Sequence, residues 1–167
     1  MGAFEVRAAR DGDGNGVAGA WRDSAEFYRE LAPEAFQVPA ENGLSGWLED
    51  KLVNHDGNTL ALVADHEGEA VGFVHASFLS PHEDAERQMT RDVGLPRVFV
   101  NALAVRRAHW RGGAGTGLMR AVERWGRERG ARLLTLEAFA DSPVSVPFYE
   151  NGMGYERYAV VFAKPLS

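Results

Sequence analysis

A chain of 167 residues with 45% apolar content has the size of one domain, 1–167, long enough to bury a sizeable core. Its formal charge of −6 is the wrong sign for a protein that neutralises phosphodiester backbones, so no nucleic acid partner is expected. The absence of cysteine removes disulfides, thiolate metal sites and a cysteine nucleophile together, and is compatible with a reducing compartment.

Met1 to Arg10 lacks the basic start and apolar stretch of a signal peptide, and no apolar run approaches the roughly 18 to 20 residues that span a bilayer. The expectation is a soluble cytoplasmic protein without a membrane partner. Phe4 to Ala8 alternates apolar and polar residues with period two and predicts a strand. Asp11-Gly-Asp13-Gly-Asn15-Gly16 matches the opening of a calcium loop, but Arg22 stands where that loop needs a bidentate carboxylate. A turn that caps the following helix is expected instead, and no metal. From Val17 to Leu31 the residues Val17, Ala20, Trp21, Phe27, Tyr28 and Leu31 form a helical stripe. Leu44, Trp47, Leu48 and Leu52 predict a second short helix, and Thr59 to Ala64 with Ala70 to Leu79 predict a hairpin around Glu67-Gly68.

Ser80 to Pro96 is polar and without a period, a long connection of the kind that often carries function. Arg97 to Val105 has strand character. From Thr116 the residues Leu118, Ala121, Val122 and Trp125 share one helical face, and Gly130 ends that helix. Leu133 to Phe139 predicts a strand, Ser142 to Asn151 a short helix, and Tyr155 to Lys164 a last strand. The strand-helix-strand run from Arg97 to Phe139 implies a right-handed crossover and two parallel strands within a hairpin-rich sheet.

Between that strand and helix lies Trp110-Arg111-Gly112-Gly113-Ala114-Gly115-Thr116-Gly117. The first amides of the helix have no partner within it, and small residues let the backbone approach an anion closely. Each amide bond to a charged group contributes roughly 1.5 to 3 kcal/mol, enough to hold a pyrophosphate against a diffuse, screened negative charge. A flexible turn with close helix packing explains glycines equally well. No Lys-Ser/Thr pair follows, which excludes a Walker loop, and the spacing does not match G-x-G-x-x-G.

The run Leu103-Ala104-Val105, then Trp110 to Gly115 and the helix beginning Leu118-Met119, resembles the acyl-coenzyme A loop Q/R-x-x-G-x-G/A of the GNAT superfamily of N-acyltransferases. Trp110 stands at the Gln/Arg position and Arg111 lies one residue late for it. Downstream, Ser142-Pro-Val-Ser145-Val-Pro-Phe148-Tyr149, then Gly152-Met153-Gly154-Tyr155, is similar to the family's N-x-x-A-x-x-F/L-Y followed by a Gly-Phe/Tyr strand start. Ser142 and Pro143 also have an ordinary reading as N-cap and first helical residue.

The resemblance implies an α/β (α+β) fold, a mixed, mostly antiparallel twisted sheet of about six to seven strands flanked by about four helices. It implies acetyl-CoA as co-substrate, with Leu103, Ala104 and Val105 pairing to the pantetheine. Arg111, Gly112, Gly113, Ala114, Gly115 and Thr116 would hold the pyrophosphate, with Ser142 as a further contact. Tyr149 would lie beside the departing sulfur. The acceptor is a primary amine of a small molecule or peptide, neutral only about once in 2,500 molecules at pH 7 for a lysine-like pKa, so a base should matter. Glu137, acting directly or through water, is the first candidate, with Asn101 to position the amine and Trp21 and Tyr28 to line its site. His75, His82, Glu83 and Asp84 are further candidates. A CoA-binding regulatory module with this fold but no turnover is the rival reading, and a homodimer is plausible from the family.

Overall fold

The computed structural model describes residues 3–166, which fall into two compact units, one ending at Glu137 and one beginning at Ala138. In the first unit β1 (Glu5–Ala8) leads into α1 (Gly14–Leu31) and α2 (Leu44–Val53). β2 (Thr59–His66) and β3 (Glu69–Leu79) form the hairpin, and β4 (Arg97–Val105), α3 (Ala114–Glu128) and β5 (Leu133–Leu136) form the crossover. The sheet runs β1-β2-β3-β4-β5, antiparallel except for the parallel β4–β5 pair. No helix among the described residues is long and apolar enough to cross a membrane.

The hairpin turns on Glu67 and Gly68, both at positive φ (55° and 89°), the geometry that matches the twist of two antiparallel strands. One face of the sheet receives α1 and α2: Val17, Ala18, Ala20, Leu44, Leu48 and Leu52 pack with Ala61, Val63, Phe73 and Ala104. α1 presses so closely on β3 that a Cβ at Gly16 would lie 2.1 Å from the carbonyl oxygen of Ala70. The opposite face receives α3, whose Leu118, Met119 and Val122 are wholly buried. There the Trp125 ring meets Phe78 edge-on at 6.4 Å, and a Cβ at Gly126 would touch Val98.

α1 begins three residues before its apolar stripe, at Gly14. The turn expected to cap it supplies Asp13 as the N-cap residue but no side-chain cap: the Asp13 carboxylate binds Arg7 and the Arg10 amide, and Glu49 of α2 accepts the Gly12 and Gly14 amides. The Ser80–Pro96 connection carries two short 3-10 turns, Ala85–Arg87 and Asp92–Gly94.

The second unit holds a helical turn, α4 (Ser145–Pro147), running into a π turn, Phe148–Gly152. The expected helix from Ser142 is therefore shorter, and it starts after Ser142 Oγ has accepted the Ser145 amide at 3.0 Å. Two other expectations are corrected. β5 ends at Leu136 rather than Phe139, and no strand forms over Tyr155 to Lys164, so the sheet has five strands among the described residues instead of six or seven. Alternating side chains permit a strand, but a ladder requires a neighbouring strand, and no ladder among the described residues includes 155–164.

Candidate active site

β4 is paired with β5 only from Arg97 to Val100, opposite Leu133 to Leu136. Beyond Val100 it continues for five residues with β3 on one side and, among the described residues, no strand on the other. The register with β3 shifts between His75 and Ala76: Ala76 faces Val100 and His75 faces Ala102, leaving Asn101 as the extra residue of a bulge. A bulge bends its strand and increases the local twist, so the two parallel strands part where it lies.

Which backbone groups point into this fork follows from the alternation of an antiparallel ladder. The Arg106 amide donates to Val71 O at 2.7 Å, so Ala104 and Ala102 are also bonded to β3, and Leu103 and Val105 direct their amides and carbonyls to the open side. One of these groups is already engaged, since Trp110 Nε1 donates to Val105 O at 2.7 Å. The remaining amides and carbonyl can pair with an extended ligand laid along β4.

Next to this edge the chain passes a 3-10 turn, Arg107–His109, and enters α3. Gly113 occupies the N-cap position at φ 94°, no side chain caps the helix, and a Cβ at Gly113 would meet nothing within 4 Å. The first internal bond of the helix is Gly117 N–H to Gly113 O. The amides of Ala114, Gly115 and Thr116 are thus left for an anion, with the positive end of the helix dipole behind them. Arg111 is exposed, has no described side-chain partner, and holds φ 62°. That is an uncommon conformation for a residue with a Cβ, and such strain gathers at functional loops.

Phe27 and Asp23 of α1 fix the loop against that helix. The Trp110 ring meets Phe27 edge-on at 5.3 Å, and the Arg107 guanidinium lies over the Trp110 ring at 5.5 Å. Asp23 of α1 accepts from Arg106 Nε and from the Arg107 amide, both at 2.9 Å. Trp110, at the position where a Gln or Arg was anticipated, is therefore a brace, and Arg111 is the nearby cation with no described side-chain partner.

On the α1 and α2 face of the sheet, at the bulge, Asn101 Nδ2 lies 3.0 Å from His75 Nδ1 and 2.8 Å from Ser77 Oγ. Burial lowers the His75 pKa below the ordinary histidine value, helped by the positive charges of His55 and Lys51. Glu137 is exposed and stands one residue past the last rung, Leu136 with Val100, as Asn101 does on the neighbouring strand. Trp21 packs on Phe73 at 6.0 Å, and Tyr28 lies against Phe27 and Phe36. His82 accepts the Asp84 amide in the exposed connection, near Glu83. In the second unit Ser142 is buried and Tyr149 is half-buried, its ring against Phe148 and Tyr155. The His75, Ser77 and Asn101 cluster and the indole brace are absent from the motif reading. A β-poor asparagine in the middle of an apolar strand was the available signal for the bulge.

Residues 21–155 match the model of the Acetyltransferase (GNAT) family, a stretch that crosses from the first unit into the second. The chain is 27% identical to the uncharacterized N-acetyltransferase YhfO of Bacillus subtilis (strain 168) over 156 residues, covering 92% of this chain and 90% of that protein. Its fold is similar to that of a transcriptional regulator from Bacillus halodurans C-125, with a TM-score of 0.74, 20% identity and coverage of 98% and 100%. It is similar also to AAC(6′)-Iy in complex with the bisubstrate analogue CoA-S-monomethyl-acetylneamine, with a TM-score of 0.65, 18% identity and coverage of 99% of each chain.

Proposed function

The chain belongs to the GNAT acetyltransferase family, and from that premise we propose that it transfers an acetyl group from acetyl-CoA to a primary amine of a small molecule or peptide. The observation that carries the reading is the fork: an open edge of β4 beyond Val100 beside the uncapped amino end of α3. Pantetheine lies along Leu103, Ala104 and Val105 in this proposal. Arg111, Gly112, Gly113, Ala114, Gly115 and Thr116 surround the pyrophosphate, and Ser142 adds a contact on the strength of its motif.

Tyr149, also assigned by its motif, donates a hydrogen bond to the charge that develops on sulfur, a contribution felt in the transition state. Glu137 and Asn101 stand at the mouth of the fork, where the carboxylate draws the ammonium form of the acceptor or relays its proton through water. Trp21 and Tyr28 are assigned to the acceptor side. AAC(6′)-Iy is named an aminoglycoside N-acetyltransferase, which makes small amines the first substrates to try. A cytoplasmic, homodimeric enzyme is compatible with this reading.

The experiment is free-thiol release from acetyl-CoA across polyamines, aminoglycosides, amino acids and N-terminal peptides, run beside a thermal scan. A ligand bound only to the native state adds roughly 2.7 kcal/mol at a hundredfold excess over Kd. A raised Tm with thiol release on an amine is the expected outcome, and Tyr149→Phe should then lower kcat by roughly 10² to 10⁴ at unchanged CoA affinity. No Tm shift at millimolar acetyl-CoA would remove the assignment. A CoA-binding regulatory module is the second reading, favoured by the likeness to the Bacillus halodurans transcriptional regulator; a Tm shift without thiol release on any amine is its signature.

A further inference from the structure

The face of the sheet under α1 and α2 is apolar at Ala61, Val63, Phe73 and Ala104. It then turns polar at one place, where β3 and β4 carry His75, Ser77 and Asn101 next to the point at which β5 leaves β4. Asn101 is the bulge residue, so its side chain is added to this face by the register shift. Neither ladder neighbour of His75 is polar: it faces Ala61 on β2 and Ala102 on β4. The charged groups acting on it are Lys51 of α2 and His55 beyond that helix, both cationic or able to become so.

We propose that His75 Nε2 takes the proton from the incoming ammonium group, with Asn101 and Ser77 as the positioning residues that hold the ring. The inference rests on the acetyltransferase reading and names the base for it. Asn101 occupies Nδ1, and Nε2 is bonded to no described residue.

The chemistry depends on an amide that can present either end. With its NH₂ toward the ring, as assigned in the structure, Asn101 donates to Nδ1 and to Ser77 Oγ, and a neutral His75 then carries its proton on Nε2. With the amide turned over, Oδ1 accepts from Nδ1–H, and the Ser77 hydroxyl reverses to donate to the same oxygen. The two arrangements keep every partner, because amide orientation and imidazole tautomer are exchanged together. In the second arrangement the Nε2 lone pair is free to accept a proton. The imidazolium that results retains its Nδ1–H bond to Oδ1.

The step balances as follows. The ammonium gives one proton to His75 Nε2, and the nitrogen lone pair forms the bond to the thioester carbonyl carbon. The C–S bond breaks with its electron pair leaving on sulfur. The second nitrogen proton ends on that sulfur as the free thiol, and His75 returns its proton to solvent. Burial, helped by the charges on His55 and Lys51, lowers the His75 pKa and so favours the neutral ring that can accept a proton.

The test uses the full chain with acetyl-CoA and whichever amine of the panel gives thiol release, and reads kcat/KM against pH, with ¹H–¹⁵N spectra of the imidazole rings recorded on the same variants. His75→Gln is expected to lower kcat/KM by roughly 10² to 10⁴ and to abolish the acid limb, while the Kd for CoA stays as in the parent. Asn101→Asp puts a carboxylate on Nδ1–H and should raise both the His75 titration in the spectra and the acid limb. A purely structural role for Asn101 would move neither. An acid limb that survives His75→Gln, or that vanishes in Glu137→Gln while the His75 titration stands, overturns the proposal and leaves the acetyltransferase reading intact. A His75 ring that titrates as an ordinary surface histidine overturns it without any acceptor in hand. Absence of CoA binding by the parent chain is the separate failure of the enzyme reading.

Discussion

At the β1 edge of the sheet Arg7 gathers two carboxylates, and on its middle strands Asn101 gathers a ring and a hydroxyl. Both sets lie within the same unit, and each includes side-chain bonds between residues far apart in the chain. Arg7 meets Asp13 through two parallel bonds of 2.8 Å and Asp65 through Nε at 2.8 Å. Backbone amides complete the set: Arg10 N–H shares Asp13 Oδ2 with Arg7 at 2.8 Å, and Gly68 N–H binds the second Asp65 oxygen at 2.7 Å. The set is closed, with one guanidinium shared between two carboxylates in fixed directions and both acids under a tenth exposed. The His75 set is neutral, each of its members can exchange donor for acceptor, and one ring nitrogen is left over. An ionic set whose members are all engaged holds a fold together but has nothing to give a substrate. A neutral, reversible one holds little and can move a proton.

The largest effect expected from this contrast is on stability at the first set. Arg7→Met leaves Asp13 7% exposed with its ion-pair partner gone, a change that costs about 3 kcal/mol in comparable buried pairs. For a chain of this length that is a fall in Tm of about 6–12 °C, measured by calorimetry. CoA affinity at a temperature where both proteins are folded should be unchanged. A small Tm change with lost CoA binding would reverse the roles of the two clusters.

A smaller effect of the same origin appears with pH. Burial would push the Asp13 pKa up, but the bonds from Arg7 and the Arg10 amide overcome it and hold the carboxyl below its usual value. The bond from Arg7 does the same for Asp65, against a lesser opposing effect of burial. Each acid therefore ionises at lower pH in the folded chain than in the unfolded one. The stability they lend is complete above the ordinary carboxylate range, about pH 3.9 for aspartate, and is lost as pH falls through the lowered folded values. Arg7→Met should flatten that acid loss in a series of thermal scans. His75→Gln should leave it unaltered, since the folded His75 pKa is also lowered but its window lies near and below the ordinary histidine value.

Much of this was legible before any coordinates. The Glu67-Gly68 turn, the span of β4, the crossover and the glycine loop follow from local rules that the chain obeys locally: positive φ at a hairpin tip, alternation along a strand, small residues before a helix. What was not legible depends on partners. Tyr155 to Lys164 has the alternation of a strand, yet it has no ladder, and Val160, Val161 and Phe162 are 71%, 77% and 90% exposed. Periodicity reports that a segment can be pleated and not what it pleats against. The site divides in the same way. Gly113 and Arg111 could be named from the loop itself, whereas Asn101 meets His75 across 26 residues because a bulge moves it to that face. Trp110 could be read as a departure from a motif, but its bond to Val105 O required the turn between them to be seen.

Ser77 supplies the finest test of the contrast, because it should matter slightly to turnover and hardly at all to the fold. Its hydroxyl is one of the two partners of the Asn101 amide, at 2.8 Å, and the amide is exposed enough for water to replace it. Ser77→Ala should therefore change stability by less than about 1 kcal/mol, the net weight of one hydrogen bond. With the hydroxyl gone, His75 alone orients the amide, and the turned-over state loses the second bond that balanced it. That should lower kcat/KM by up to about tenfold, the equivalent of about 1.4 kcal/mol, again the scale of a single hydrogen bond. The acid limb should keep its place, because Ser77 carries no charge and adds no titrating group. Ser77→Thr, which restores the hydroxyl, should restore the rate. A fall in Tm approaching that of Arg7→Met, with no change in rate, would make the Asn101 cluster a second structural clasp and erase the difference between the two sets.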